Sequence, residues 1–149
     1  MSDIRITIVP SDRIMDAWAM VEPFMELAAD VTNGRYQSTD ILEALLHLNH
    51  DLWVVFDETR VYGAVVTAIK QYPQKKYLEL AFIAGEDGHS WKDQMLDILR
   101  RWAYDNSCDG IESCARLGWA KIFKDDGYRP MWQMFELPMG EEGLGGYDG

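Results

Sequence analysis

The first residues alternate. Ile4-Arg5-Ile6-Thr7-Ile8-Val9 puts an apolar side chain at every second position, the period of a half-buried strand, and Pro10 ends it. Ser11 and Asp12 are suited to a helix N-cap. From Arg13 to Met20 the period becomes helical, with Ile14, Ala17 and Trp18 on one face. Pro23 is expected to open a second helical turn toward Ala29, and Asn33-Gly34 marks a break. Ser38, Thr39 and Asp40 then cap a third helix, Ile41 to Leu48, with one apolar stripe.

The middle of the chain turns β-rich. Leu52 to Asp57 is a short apolar strand, Glu58-Thr59 a tight turn, and Arg60 to Gln71 a long β-branched run, which together predict an antiparallel hairpin. After a loop at Pro73 to Lys75, Lys76 to Ala84 predicts another strand. A glycine-bearing loop, Gly85 to Ser90, leads into the strongest helical pattern, Trp91 to Asn106. Its stripe is Trp91, Met95, Ile98, Leu99 and Trp102. Asp109 to Ala115 predicts a strand, Gly118 to Lys124 a short helix stopped by Asp126-Gly127, and Met131 to Leu137 a last strand. No repeat or linker interrupts this order. It predicts one domain over residues 1–138, a mixed α/β (α+β) sheet flanked by helices. Five glycines with Glu141, Glu142 and Asp148 make residues 139–149 an acidic tail expected to be mobile or partner-bound.

Composition narrows the function classes. At 149 residues the chain can bury a core without metals or disulfides. Met1-Ser2-Asp3 leads straight into the first strand with no basic or apolar leader, and no apolar run is long enough to span a membrane. Cys108 and Cys114 are separated by a predicted strand that would hold them too far apart to bridge. Two unpaired thiols fit a reducing cytoplasm, where they are best read as small half-buried hydrophobes. The net charge is −11, from 14 basic and 25 acidic residues, which argues against direct nucleic-acid binding. It would also repel an anionic ligand unless a local basic patch compensates. His47, His50 and Asp51 cluster in sequence, but a metal site needs more ligands, and a helix surface is the plainer reading.

A set of local segments carries a family resemblance. These are Tyr77-Leu-Glu-Leu-Ala-Phe-Ile-Ala-Gly-Glu-Asp-Gly-His-Ser-Trp, Met95-Leu-Asp-Ile-Leu-Arg-Arg-Trp-Ala, Cys108-Asp-Gly-Ile-Glu-Ser-Cys-Ala-Arg, Gly118-Trp-Ala and Asp126-Gly-Tyr128. With the element order, they resemble the GNAT N-acetyltransferase superfamily over roughly residues 3–137, in a divergent form associated mainly with tailed bacteriophages. The resemblance implies a mostly antiparallel central sheet with helices on both faces. It implies acetyl-CoA as cofactor and a small-molecule or protein amine as acceptor. The helix N-terminus after the loop would then face the diphosphate, where free amides and the helix dipole favour an anion.

Its residues divide between match and departure. The amides of Phe82, Ile83 and Ala84 would hold the acyl carbonyl and the pantetheine arm. Gly88, His89 and Ser90 would line the diphosphate loop. Against the family loop, Asp87 falls at the basic position, Ser90 and Lys92 fall at the two later glycine positions, and only Gly88 stays a glycine. Two acids, Glu86 and Asp87, sit where phosphates should lie, with Lys92 and His89 as partial offsets. Glu79, mid-strand, is the candidate base, on a face with Tyr77, Ala81 and Ile83 by alternation. The alternative is an exposed glutamate paired with Lys70 or Lys76. The family's tyrosine acid is replaced by Phe123, while Tyr128 and Trp91, Trp119 and Trp132 are expected to pack in the core. Arg116 could bind a phosphate or carboxylate, or form a surface ion pair. A non-catalytic phage protein, virion-associated or acting on a host protein through the acidic tail, is the alternative function. An acidic nucleic-acid mimic is a third, weakened by acids spread along the chain.

Overall fold

Alternation produces strands, and their pairing makes one five-stranded sheet. The computed structural model describes residues 3–115 and 119–140. The chain divides into two compact units, residues 1–116 and 117–149. The first holds strands β1 (Arg5–Ile8), β2 (Asp51–Phe56), β3 (Val61–Gln71), β4 (Lys76–Gly85) and β5 (Gly110–Ser113). They lie in the order β1-β2-β3-β4-β5, antiparallel except for the last pair, which is parallel. That single parallel pair requires a crossover, and helix α3 (Lys92–Asp105) supplies it.

Helices cover both faces. Helix α1 (Ile14–Asp30) and helix α2 (Ser38–His47) pack on one, with Val21, Met25 and Ile41 fully buried against Leu52, Val54, Ala64 and Val66. On the other, α3 buries Met95, Leu96, Leu99 and Ala103, and its Trp102 meets Trp53 of β2 edge to face at 5.4 Å. The Trp53 indole N–H donates to the buried Thr67 hydroxyl at 2.9 Å.

Three expectations need correction. Pro23 does not open a new helix: α1 runs through it from Ile14 to Asp30. Proline forfeits one ladder hydrogen bond, and a continuous buried stripe from Ile14 to Ala29 outweighs that loss. Two helices therefore precede β2 instead of three. The N-cap of α2 is Gln37, whose backbone N–H donates to Asp40 at 2.8 Å in a capping box, so Asp40 closes the helix start from inside it.

The third correction concerns the end of the chain. In the second unit, helix α4 (Ala120–Asp125) is followed by Tyr128, whose ring lies 5.0 Å from that of Phe123; the Trp119 ring lies 5.9 Å from Phe123. Residues 128–140 contain no strand, and Trp132 is 77% exposed instead of packed. The apolar positions 131, 132, 134, 135 and 137 do not follow a two-residue period, and α4 is the only regular element of this unit among the described residues. The expected segment at Gly118 and Arg116, and most of the acidic tail, lie outside the described residues.

Candidate functional site

The site is built around an irregularity in β4. Val66 pairs with Phe82, but Thr67 pairs with Leu80, so Ala81 is an extra residue in β4. A bulge of this kind reverses the alternation beyond it. Glu79 shares a face with Tyr77 and with Ala68 and Lys70 of β3, while Leu78 and Leu80 are buried on the opposite face. Past the bulge, Phe82 and Ala84 join Glu79 on the α1 side, where both pack against the core there. Ile83 pairs with Val65 and takes the α3 side. The expectation that Ile83 shares the face of Glu79 is therefore wrong, because a strand's period holds only as far as its ladder is regular.

The same strand loses a neighbour at this point. β5 pairs with β4 only from Tyr77 to Leu80, while β4 continues to Gly85. The β5-side edge of Ala81, Phe82, Ile83 and Ala84 therefore has no strand partner among the described residues. Such an edge offers backbone N–H and C=O groups to an extended ligand.

The loop beyond it is anchored by a tryptophan on two glycines. Gly63 and Gly85 face each other across β3 and β4, and the Trp91 ring lies over both. A Cβ on Gly85 would come within 2.8 Å of that ring and 2.6 Å of the Tyr62 carbonyl oxygen. Trp91 is fully buried, and its indole N–H donates to the Glu86 carbonyl at 2.8 Å. Asp87 takes a left-handed backbone with φ +52, and residues Gly88–Ser90 form one tight helical turn before α3. Among the described residues no side chain caps α3, so the first-turn amides of Lys92, Asp93 and Gln94 have no acceptor within the helix. They are available to an anion.

The loop's acids are met by a residue that the sequence pattern does not single out. Arg60, at the end of the β2–β3 turn, donates to Glu86 Oε2 at 3.0 Å and to Asp87 Oδ2 at 2.6 Å. Lys92, a proposed offset, instead pairs with its neighbour Asp93 at 3.2 Å. Arg60 lies 4.1 Å over the Tyr62 ring. The Tyr62 hydroxyl donates to Asp57, which also accepts from the Thr59 amide at 2.7 Å, the Thr59 hydroxyl at 2.8 Å and the Arg60 amide at 3.0 Å. These donors, the Tyr62 hydroxyl first, hold the Asp57 carboxyl far below the usual carboxylate range. The only local clue was an aspartate at a turn start followed by Thr59, a pattern for an Asx turn.

Glu79 is half-buried and pairs with Lys70 Nζ at 3.4 Å. The Glu79 carboxylate is the first cause of a raised Lys70 pKa. Nearby, the Tyr72 hydroxyl donates to Glu112 of β5 at 2.7 Å, and Glu112 is in register with Glu79. On the same side of the sheet, Tyr36 meets Phe82 edge to face at 5.2 Å. Beside Tyr36 is a depression of about 350 Å³ lined by Glu26, Ala29, Asp30, Gln37 and Ser38. A larger one, about 440 Å³, is lined by Asp97, Arg100, Arg101 and Tyr104 of α3 and includes none of the strand or loop residues.

Other candidates form no site. Cys108 is half-buried, with its thiol pKa raised by burial, and Cys114 is exposed; both are free. His47 lies 3.9 Å from Glu43, and His50 Nδ1 is 3.0 Å from the Leu48 carbonyl. No metal-binding group of three His, Cys, Asp or Glu exists among the described residues, nor does any helix there have the length and apolarity to cross a membrane.

No protein-family model matches the sequence, and no curated protein matches it. Solved structures do match the fold. An aminoglycoside N-acetyltransferase in complex with CoA is similar at a TM-score of 0.68 and 12% identity, over 93% of this chain and 96% of that one. A predicted acetyltransferase from Clostridium acetobutylicum with acetyl-CoA gives 0.66 and 12%, over 91% and 96%. A ribosomal-protein-alanine N-acetyltransferase from Brucella melitensis gives 0.66 and 13%, over 93% and 100%. The mixed, mostly antiparallel sheet with helices on both faces is thus the fold of the GNAT acetyltransferases.

Proposed function

We propose that this chain is an N-acyltransferase that uses acetyl-CoA on an amine acceptor. The observation that carries the reading is the unpartnered edge of β4 at Ala81 to Ala84, leading directly into an uncapped helix N-terminus. An extended pantetheine arm can pair with such an edge, and the first-turn amides of α3 then meet the diphosphate. The amides of Phe82, Ile83 and Ala84 are the donors assigned to the thioester oxygen and the arm. Gly88, His89 and Ser90 are assigned to the phosphates, and among the described residues nothing beyond its chain neighbours lies within 4 Å of where a Gly88 Cβ would be, which leaves room there.

Glu79 is assigned as the base. Taking a proton from the acceptor ammonium, through water, leaves a neutral amine that attacks the thioester carbonyl. The new C–N bond forms, the C–S bond breaks, and the proton that the nitrogen sheds on becoming an amide passes to the departing thiolate. The face shared by Glu79, Phe82 and Ala84 supports this assignment, and Lys70 Nζ lies 3.4 Å from the Glu79 carboxylate. The acceptor, a small molecule or a protein amine, would enter beside Tyr36, where Glu26 and Asp30 favour a cation. Calorimetric titration with acetyl-CoA tests the reading: saturable heat and a thermal shift are expected. No heat and no shift at millimolar cofactor would refute it.

A second reading rests on Glu86 and Asp87 in the loop and on Phe123 in place of the family tyrosine. It makes the chain a non-catalytic phage protein of the host cytoplasm or virion, which keeps the fold and binds phage or host proteins through its acidic tail. It predicts that the titration is flat.

A further inference from the structure

We propose that Arg60 is the cation of the cofactor loop, supplied by the β2–β3 turn in place of the basic residue that the loop itself lacks. This rests on the acetyl-CoA reading. Glu86 and Asp87 would otherwise present two negative charges beside a diphosphate. Arg60 answers both with separate nitrogens, at 3.0 Å and 2.6 Å, across 26 and 27 residues of sequence. That leaves the trio with one net negative charge, and it fixes where the two carboxylates lie.

The guanidinium is held from behind. The Tyr62 ring supports its face at 4.1 Å, and the Arg60 amide and carbonyl both bond to Asp57, at 3.0 Å each. The Glu86 amide donates to the Tyr62 carbonyl at 2.8 Å, so turn and loop are also tied through backbone. Arginine suits this position because its planar fork serves two carboxylates at once. Arg60 is therefore a positioning residue, acting on the phosphates through the charge and placement of Glu86 and Asp87.

The test is acetyl-CoA affinity, by calorimetry, for the native chain, Arg60→Gln and Asp87→Asn, at about 0.05 M and about 0.5 M NaCl. Asparagine tolerates the left-handed backbone at position 87, so the second variant changes charge and little else. Arg60→Gln is expected to weaken binding about tenfold at low salt, with the gap shrinking at high salt, and Asp87→Asn to tighten it about threefold. Arg60→Lys should recover part of the loss. A loss of equal size at both salt concentrations, or none, overturns the role of Arg60 and leaves the acetyl-CoA reading standing. A native chain that binds no acetyl-CoA overturns both.

Discussion

Gly85→Ala tests whether the loop is anchored as described. The new Cβ would lie 2.6 Å from the Tyr62 carbonyl oxygen, 2.8 Å from the Trp91 ring and 2.9 Å from the Gly63 Cα. Ordinary contact begins near 3.4 Å, so strand and carbonyl must part by about 0.8 Å. Two of these neighbours are backbone, and the third is a fully buried ring, so none can swing away. Overpacking of this kind costs about 1–3 kcal/mol. Alanine returns about 0.4–1 kcal/mol by restricting the unfolded chain. Taken at the middle of each range, the net loss is about 1.3 kcal/mol, a fall of about 3–5 °C in melting temperature for a domain of this size. Gly88→Ala is the control, because among the described residues nothing lies within 4 Å of its Cβ and its φ is not left-handed. It should leave stability unchanged or slightly raised. Urea melts followed by tryptophan fluorescence, with slopes compared, give both values. Equal stability of Gly85→Ala and the native chain, or an equal loss in Gly88→Ala, would refute the anchoring of the loop by Trp91.

Further expectations follow from buried polar groups and from the site. Thr67→Val removes the acceptor of the buried Trp53 indole N–H and should cost about 1–3 kcal/mol in urea melts, more than Thr7→Val on exposed β1. The Asp57 carboxyl has a folded pKa depressed below its unfolded value, so its contribution is present above the unfolded pKa, about 4. It is lost as pH falls toward the folded value; urea midpoints measured from neutral pH to about pH 2.5 should drop over that window, and Asp57→Asn should flatten the drop. If acyl transfer is detected, Glu79→Gln should reduce turnover about 100-fold with acetyl-CoA affinity unchanged, measured as free thiol released. The same substitution should lower the Lys70 pKa toward its ordinary value, seen by NMR titration, because the Glu79 charge is its leading cause.

Elements whose signal is local are legible in the sequence alone. The alternation at Ile4 to Val9, the β-branched run into Gln71 and the stripe of Met95 and Leu99 each reflect a period set by backbone geometry, and each became the expected strand or helix. The order of these elements, with the quoted segments, was enough for the fold class, and the position of the glycine loop before α3 was legible too. The tertiary structure decided what depends on neighbours distant in sequence. The bulge at Ala81 exists only in the pairing of β4 with β3, so the face of Ile83 could not be read from β4 alone. Pro23 stays inside α1 because burial against the sheet outweighs a local preference. Residues 131–137 are rich in apolar side chains but form no strand, since a strand needs a partner's hydrogen bonds as well as its own composition. Arg60 reached the loop acids across 26 residues, and no spacing rule connects a hairpin turn to the loop two strands further on. Periodicity is a property of one segment, whereas charge compensation and register are properties of the segments that the fold brings together.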